Sequence, residues 1–313
     1  MIELRKDYIL DRWSYIATDR SQRIKQFKKT KTNKKDSICF FCPGNENLTP
    51  PEIGRIGNKE KWEVRWFPNK FPAVEKQSKV RSKKVNKFYT SEQAYGFHDV
   101  IAETPDHKKQ FADLSEKEIK NVLLAYVDRM KDLSKRNRIK YVQIFKNSGA
   151  EAGTSIIHTH TQVIATTIVP RLVREEIQAL EKYKKCPYCD ILRLEEKSDR
   201  LIFSDDNFIV FAPYAPRYNY EAWIFPKKHY RNITELNDKE LDSLARSFKV
   251  IITKLGAMNF PYNFYLHYSP KGKDLHFHFE ITPRTNKWAG YELATESYII
   301  IISPEDAAKF YKE

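Results

Sequence analysis

The stretch NSGAEAGTSIIHTHTQ, residues 147–162, decides the fold of this chain. It lies between two strand-like runs, YVQIF before it and VIA after it, and its two glycines favour a tight loop. Since successive side chains of a strand point to opposite faces, His158, His160 and Gln162 share one face. We therefore expect two imidazoles and an amide on the surface of a sheet, directly behind a glycine-containing loop.

The chain contains the same order of features twice. Each half has a CxxC pair, a histidine further along, a helical pattern, a strand-like run and two histidines separated by one residue. These cysteines and histidines are Cys39, Cys42, His107, His158 and His160 in the first half and Cys186, Cys189, His229, His276 and His278 in the second. The duplication predicts an α+β fold of two tandem repeats, residues 1–170 and 171–313, each an antiparallel sheet with a covering helix.

A helix with a clear start signal is expected in each repeat. Ser115 is followed three residues later by Glu118, and Asn237 by Glu240, which is the spacing of a capping box. Apolar residues then recur at helical spacing in both segments, so each helix would lay one apolar stripe on its sheet. Gly256 is expected to end the second helix.

The cysteines and four of the histidines form two complete sets of zinc ligands. A structural zinc site uses four tetrahedral ligands drawn from cysteine and histidine. We expect one zinc ion in each repeat, held by Cys39, Cys42, His107 and His158 in the first and by Cys186, Cys189, His229 and His276 in the second. The second histidine of each pair stands outside these sets.

His160 is the candidate nucleophile. The N–H groups of the glycine loop around Gly153, together with Asn147 and Ser155, can donate hydrogen bonds to phosphate oxygens. A neutral imidazole can attack phosphorus when its other nitrogen is fixed by a hydrogen bond. Gln162, on the same face, would orient the transferred phosphoryl group. The second repeat has a glutamate in place of this glutamine, so its copy of the site is expected to be structural.

The composition favours an anionic partner. Lysine and arginine total 55 against 41 aspartates and glutamates, which gives a formal net charge of +14 over 313 residues. Nucleotides, sugar phosphates and nucleic acid are the partners that such a charge attracts. No apolar run approaches the roughly 18–20 residues of a membrane helix, and the first residues lack the layout of a signal peptide. A cytoplasmic protein with reduced cysteines is therefore expected.

Residues 147–162 resemble the active-site motif of the galactose-1-phosphate uridylyltransferase family, the nucleotidyltransferase branch of the histidine-triad superfamily. LRKDYILDRWSYIATDRSQR resembles the family's N-terminal segment and CFFCPGNENLTPPE its first zinc knuckle, and RWFPNKFPA, GFHDVIAETPDH and AGYELATESYI are also similar. The similarity covers nearly the whole chain in several ordered motifs. The chain departs from the family at Thr159, where proline is usual, and at Glu151, an acid in the phosphate loop that is expected to point to solvent.

The resemblance implies histidine-triad-like repeats and a ping-pong reaction through a covalent intermediate. His160 would attack the α-phosphorus of a nucleotide sugar, and the nucleotidyl-histidine would then pass its nucleotidyl group to a hexose 1-phosphate or to phosphate. It also implies a homodimer and contacts to phosphate, nucleotide and hexose. The implied substrate-binding residues are Arg20, Arg23, Asn69, Asn147, Gly153, Ser155, Gln162, Tyr291 and Glu292.

Alternatives stay open at this point. An adenylyl-transferring relative, such as an ADP-glucose phosphorylase, shares the catalytic features, whereas a dinucleoside polyphosphate hydrolase would carry a third histidine in place of Gln162. A zinc-containing nucleic-acid-binding protein would suit the positive charge and the CxxC pairs but would leave His160 and Gln162 unexplained. By the same resemblance, the second metal could instead be iron or zinc on Glu176, His267, His276 and His278.

Overall fold

The computed structural model describes residues 2–6, 13–17, 38–76, 83–84 and 86–313. Its strands are β1 (Ile2–Lys6), β2 (Trp13–Ala17), β3 (Gly54–Gly57), β4 (Trp62–Pro68), β5 (Lys83–Lys84), β6 (Thr90–Gln93), β7 (Gly96–Ala102), β8 (Tyr141–Ser148), β9 (His160–Thr166), β10 (Leu201–Ser204), β11 (Phe208–Phe211), β12 (Ala222–Pro226), β13 (Tyr262–His267) and β14 (His278–Pro283). Its helices are α1 (Glu116–Leu133), α2 (Arg171–Leu180), α3 (Pro187–Glu195), α4 (Asp238–Ala257), α5 (Gly290–Thr295) and α6 (Pro304–Lys312).

Ten of these strands form one antiparallel sheet in the order β10-β11-β12-β14-β13-β8-β9-β7-β4-β3. Outward from the central pair, β13 and β8, the two halves match: each continues with the strand that begins at the second histidine and then with three strands that come earlier in its repeat. The expected antiparallel sheet of each repeat is present, and the two sheets are joined into one. β1, β2, β5 and β6 form a separate antiparallel sheet in the order β2-β1-β6-β5.

The junction between the repeats brings two asparagines together. In the pairing of β8 with β13, Asn147 lies opposite Asn263. Directly opposite residues of an antiparallel pair have their side chains on the same face and close enough to interact. The second repeat therefore supplies a side chain at the edge of the first repeat's glycine loop.

The two long helices cover one face of the large sheet and pack against each other. Both capping boxes that the sequence predicts are present, Ser115 with Glu118 and Asn237 with Glu240. The apolar stripes of α1 and α4 are fully buried, and each large apolar side chain contributes about 1.5–3 kcal/mol relative to an exposed one. No helix in the described residues is both long enough and apolar enough to span a membrane.

Gly256 does not end the second helix. α4 continues to Ala257, and the residue with left-handed backbone beyond its end is Asn259, with φ of 52°. A Cβ at Gly256 would lie 2.4 Å from the Cβ of Ala112. The prediction of a glycine stop is therefore wrong, because this glycine serves close packing of the helix against the chain before α1.

Candidate functional site

His160 begins β9, and its imidazole lies on the face of the sheet opposite the two long helices. Its Nδ1 is 2.9 Å from the main-chain oxygen of His158. Because a carbonyl oxygen only accepts, Nδ1 carries the hydrogen and the lone pair of the neutral ring lies on Nε2. The ring of Phe41 packs edge-on against the imidazole, with centroids 5.4 Å apart. The imidazole is therefore held in the tautomer that attack by Nε2 requires.

The four expected ligands of the first zinc site lie together. The ligand atoms of Cys39, Cys42, His107 and His158 are all within 4.8 Å of one another. Separations between Sγ and Nδ1 atoms are 3.4–3.6 Å, and a tetrahedral zinc ion with ordinary bond lengths needs about 3.6 Å. Nε2 of His158 donates to the main-chain oxygen of Thr104 at 2.7 Å, so Nδ1 presents its lone pair to a metal. This donor set fits zinc.

The second repeat reproduces this geometry. The ligand atoms of Cys186, Cys189, His229 and His276 also lie within 4.8 Å of one another. Sγ of Cys189 is 3.5 Å from Nδ1 of His229 and 3.7 Å from Nδ1 of His276. Nε2 of His276 donates to the main-chain oxygen of Lys228 at 3.1 Å. The ring orientation is thus set as in the first repeat.

One thiol of each CxxC pair has a lowered pKa. Burial alone would raise the pKa of Cys39, but its hydrogen bond with His158 and its other polar neighbours lower it to about 6. Burial likewise opposes the effect of His229 and His276, which lower the pKa of Cys186 to about 5. Zinc binds cysteine as the thiolate, so these shifts favour metal binding.

The alternative metal ligands form a third group, which His276 does not join. Ligand atoms of Glu176, His267 and His278 lie within 4.8 Å of one another. Oε2 of Glu176 is 3.0 Å from Nδ1 of His267, and the Tyr188 hydroxyl donates to Oε1 at 2.6 Å. Because His276 contacts Cys189 instead, the structure separates the two sets that the sequence leaves as alternatives. Metal occupancy of either set stays a prediction.

The glycine loop between β8 and β9 turns through two left-handed residues, Gly149 and Gly153, each with φ of 87°. Nδ2 of Asn263 donates to Oδ1 of Asn147 at 2.8 Å and to the main-chain oxygen of Ala152 at 2.9 Å. Since Oδ1 of Asn147 accepts this bond, its Nδ2 is the atom that can donate to a ligand. A cavity of about 340 Å³ opens beside both asparagines. The second repeat thus holds the loop and orients its first amide.

Glu151 and Ser155 are two further residues of the loop. Glu151 is exposed and pairs with Lys287, also exposed, at 3.0 Å. The acid therefore points to solvent, as expected. Ser155 is half-buried on the stretch that leads into β9. Its proposed contact with phosphate stays a prediction.

Gln162 lies two residues after His160 on the same face of β9. Its Oε1 is 3.0 Å from Nε2 of His98 on β7. The main-chain N–H of Asn69 donates to the main-chain oxygen of His98 at 2.7 Å, and Nδ2 of Asn69 is 3.1 Å from Nε2 of His98. The side chains of Gln162 and Asn69 therefore both lie within hydrogen-bonding distance of His98.

A buried ion pair supports β9 from its opposite face. Nζ of Lys146 is 2.6 Å from the carboxylate of Glu103 and donates to the Thr159 hydroxyl at 2.8 Å and to the main-chain oxygen of His160 at 3.1 Å. The hydroxyls of Thr159 and Thr161 each donate to Glu103 at 2.5 Å. Thr159, at the position where the resembling family motif usually has proline, thus anchors the start of β9 through its side chain.

Four expected substrate-binding residues remain, namely Arg20, Arg23, Tyr291 and Glu292. Arg20 and Arg23 lie outside the described residues. Tyr291 lies in α5 with 57% of its surface exposed, and Glu292 accepts a hydrogen bond from the main-chain N–H of Ala289 at the start of the same helix. Their proposed contacts with substrate stay predictions.

Sequence reasoning missed Asn263, Lys146 and Glu103. Lys146 extends the strand-like run YVQIF at a core-facing position, and a lysine there signals a buried partner. Asn263 and Glu103 give no local signal, because their partners lie 116 and 43 residues away in the chain.

The duplicated α+β sheet, with His160 beside a glycine loop, has the histidine-triad-like architecture expected of the nucleotidyltransferase class. The sequence model of the galactose-1-phosphate uridyl transferase N-terminal domain matches residues 2–170, and a domain of unknown function matches residues 94–310. The chain therefore belongs to the galactose-1-phosphate uridylyltransferase family, as its motifs predict.

Individual relatives agree with this membership. Over 99% of its length the chain is 32% identical to the ADP-glucose phosphorylase of Arabidopsis thaliana, of which it covers 92%. It is 28% identical over its whole length to the galactose-1-phosphate uridylyltransferase of Thermotoga maritima, of which it covers 98%. A solved structure of the Arabidopsis thaliana ADP-glucose phosphorylase with bound ADP-glucose is 29% identical, with a TM-score of 0.79 and coverage of 100% of this chain and 99% of that one.

Proposed function

We propose that this protein is a hexose-1-phosphate uridylyltransferase, which exchanges the uridylyl group between UDP-glucose and galactose 1-phosphate in galactose metabolism. The observation that carries the proposal is the hydrogen bond from Nδ1 of His160 to the main-chain oxygen of His158, which puts the lone pair on Nε2. Membership of the family and the name of the Thermotoga maritima relative support the substrate class.

The reaction has two displacements at one phosphorus atom. Nε2 of His160 attacks the α-phosphorus of UDP-glucose; a P–N bond forms, and the bond from that phosphorus to the bridging oxygen breaks. Glucose 1-phosphate leaves with the electron pair of that bond. A phosphate oxygen of galactose 1-phosphate then attacks the same phosphorus and displaces the imidazole. The main-chain oxygen of His158 stabilises the Nδ1–H of the uridylyl-histidine throughout.

The remaining groups bind and orient the substrates. Asn147, Ser155 and Gln162 donate to phosphate oxygens, and Asn69 lines the nucleotide pocket. Gly153, whose own N–H donates to the main-chain oxygen of Ala150 at 2.9 Å, lets the loop backbone approach the phosphates closely. Tyr291 and Glu292 contact the hexose, and Arg20 and Arg23 reach the phosphates. The family resemblance also supports a homodimer, in which Arg20 and Arg23 reach the phosphates across the interface between the two chains.

Zinc is the proposed metal of both cysteine–histidine sets, because their donor types and separations fit a tetrahedral ion. Bound zinc supplies a structural cross-link. His158 and His276 stand two residues before the histidines that begin β9 and β14, so these ligands hold the starts of both strands. Reduced thiols in both sets suit a cytoplasmic location.

Adenylyl transfer is the second candidate. It is favoured by the 32% identity to an ADP-glucose phosphorylase over 99% of the chain. His160, Gln162 and the loop would act in the same way, with ADP-glucose as donor and inorganic phosphate as acceptor. The base of the nucleotide is recognised by other groups of the pocket, and the catalytic residues do not identify which base that is.

The test is to incubate the protein separately with UDP-glucose and with ADP-glucose and to measure the intact mass. A uridylyl adduct supports the first candidate and an adenylyl adduct the second, and the acid lability of the adduct identifies a phosphorus–nitrogen bond. Release of the adduct by galactose 1-phosphate or by inorganic phosphate then identifies the acceptor.

Two variants locate the nucleophile. His160→Asn should abolish the adduct, whereas His278→Asn, at the corresponding position of the second repeat, should keep it. Each variant is checked by circular dichroism. An adduct that persists in His160→Asn would reject this nucleophile, and strong, saturable, salt-dependent binding of DNA without any adduct would favour a nucleic-acid-binding protein instead.

A further inference from the structure

His98 lies on β7 and is 4% exposed. In the pairing of β7 with β9 it lies opposite Ile164, and Val100 lies opposite Gln162, so His98 and Gln162 are diagonal neighbours on one face. We propose that His98 is a positioning residue, which fixes the direction of the Gln162 amide and aims its NH₂ group at the phosphoryl group that His160 receives. The proposal rests on the nucleotidyl transfer proposed above.

The tautomer of His98 follows from its main-chain neighbour. The main-chain N–H of Ala73 donates to Nδ1 of His98 at 3.0 Å. A nitrogen that accepts a hydrogen bond carries no hydrogen, so the hydrogen of the neutral ring is on Nε2. His98 is therefore a donor on the side that faces Gln162.

Gln162 is the acceptor for this donor. Its Oε1 is 3.0 Å from Nε2 of His98. Asn69 is also close, with Nδ2 at 3.1 Å, but Oδ1 of Asn69 already accepts the main-chain N–H of Phe71 at 2.8 Å. Nδ2 of Asn69 is thus a donor and cannot accept from Nε2. The hydrogen bond of His98 goes to the carbonyl end of Gln162.

The direction of the Gln162 amide matters because its carbonyl oxygen carries a partial negative charge and its NH₂ group a partial positive charge. With Oε1 held by His98, the NH₂ group is the end that remains for a phosphoryl oxygen. The flipped amide would set two N–H groups against each other at His98 and would present an oxygen to the anionic phosphoryl group. Preorganised donors to developing charge are worth about 10²–10³-fold in rate, and residues that orient such groups about 10–100-fold.

A double-mutant cycle tests the coupling. Wild type, His98→Phe, Gln162→Ala and the double variant are compared in the single-turnover rate of adduct formation with the nucleotide sugar that labels the wild type. His98→Phe should lower the maximal rate about 10–100-fold with little change in the half-saturating concentration. In the Gln162→Ala background the same change should alter the rate by less than about threefold. Equal losses in both backgrounds would overturn the proposal.

The conservative variant separates orientation from packing. The amide of His98→Gln can donate to Oε1 of Gln162, so its rate should exceed that of His98→Phe, with similar unfolding midpoints for the two variants. A rate for His98→Gln as low as that of His98→Phe counts against the donor role.

The tautomer of His98 can be measured without any enzymatic reaction. NMR of protein with ¹⁵N-labelled histidine should give a protonated Nε2 and an unprotonated Nδ1 for His98, assigned by the loss of its signals in His98→Gln. A protonated Nδ1 would overturn the proposal whether or not a nucleotide sugar labels the protein. If His98 shows the expected tautomer but no nucleotide sugar labels the protein, the proposed function is rejected. The orientation of Gln162 by His98 is then still supported.

Discussion

Replacing Glu103 by glutamine removes one charge from the buried ion pair beneath β9. The side chains of Lys146 and Glu103 are 2% and 0% exposed. The three hydrogens of the ammonium group are directed at Glu103, Thr159 and the main-chain oxygen of His160, at 2.6, 2.8 and 3.1 Å. Glu103→Gln keeps the size of the side chain but leaves the ammonium group without a counter-charge in the core, where water cannot replace it.

We expect this variant to lose about 3–5 kcal/mol of the free energy of unfolding. Burial lowers the pKa of Lys146, while Glu103 raises it and limits the shift. In the variant the unfolded chain therefore binds the lysine proton more tightly than the folded chain, and stability rises with pH. The loss should shrink as the pH approaches the ordinary lysine pKa of about 10.

Urea or guanidinium unfolding, followed by the fluorescence of the five tryptophans, measures the effect. Glu181→Gln is the matched control, because it removes the same charge from a pair with Lys273 at 2.8 Å whose side chains are 56% and 50% exposed. Such an exposed pair is worth less than about 1 kcal/mol.

Adding Lys146→Met to Glu103→Gln removes the unpaired charge and should restore part of the lost stability, although the two threonine hydroxyls keep only an amide oxygen as acceptor. Burial would not explain the effect of this pair if Glu103→Gln lost no more free energy of unfolding than Glu181→Gln. The same conclusion would follow if the double variant were less stable than Glu103→Gln alone.

Three further predictions follow from other parts of the structure. Mass spectrometry of metals should find about two zinc ions per chain and about one in Cys186→Ser, and an unchanged zinc content in that variant would contradict the second ligand set. Gly149→Ala should destabilise the protein by about 1–3 kcal/mol and more than Gly153→Ala; both glycines have φ of 87°, but only at Gly149 would a Cβ meet an atom, the Cβ of Pro261 at 2.7 Å. Equal unfolding midpoints for the two variants would contradict the role of this contact. Burial alone would raise the pKa of Asp205, but hydrogen bonds from α4 and the main chain hold it below its ordinary value. Asp205 therefore stabilises the fold above its unfolded-state pKa and loses this effect as the pH falls through the lower folded-state value, so Asp205→Asn should flatten the acid side of the stability profile, and an unchanged profile would contradict the assignment.

Local interactions made the long helices predictable. The capping boxes join residues three apart, Ser115 with Glu118 and Asn237 with Glu240, so both partners lie in the same short stretch of sequence. Gly256 shows the limit of such reasoning. Its signal for a helix end is local, but its contact with Ala112 comes from another part of the chain and decided its role.

The grouping of the cysteines with the histidines was predictable for a related reason. Cysteines three positions apart and histidines at alternate strand positions are informative because few structural roles other than metal binding require these residue types at these spacings. The tautomer of His160 also depends on a near neighbour, the main-chain oxygen of His158 two residues before it. The sequence could not decide between the cysteine–histidine set and the set containing Glu176, because His276 is a possible metal ligand in both.

The sequence by itself determined the duplicated α+β plan, the membership of the family, the two cysteine–histidine groups and the histidine that faces away from them. Only the tertiary structure decided that the two sheets join at β8 and β13, that Asn263 and His98 orient the amides of Asn147 and Gln162, and that Lys146 and Glu103 support β9. The paired residues are 43 positions apart for Glu103 and Lys146, 64 for His98 and Gln162, and 116 for Asn147 and Asn263. Short-range patterns record what neighbouring residues can do together, whereas the direction of an amide or the partner of a buried charge depends on which distant strand lies beside it.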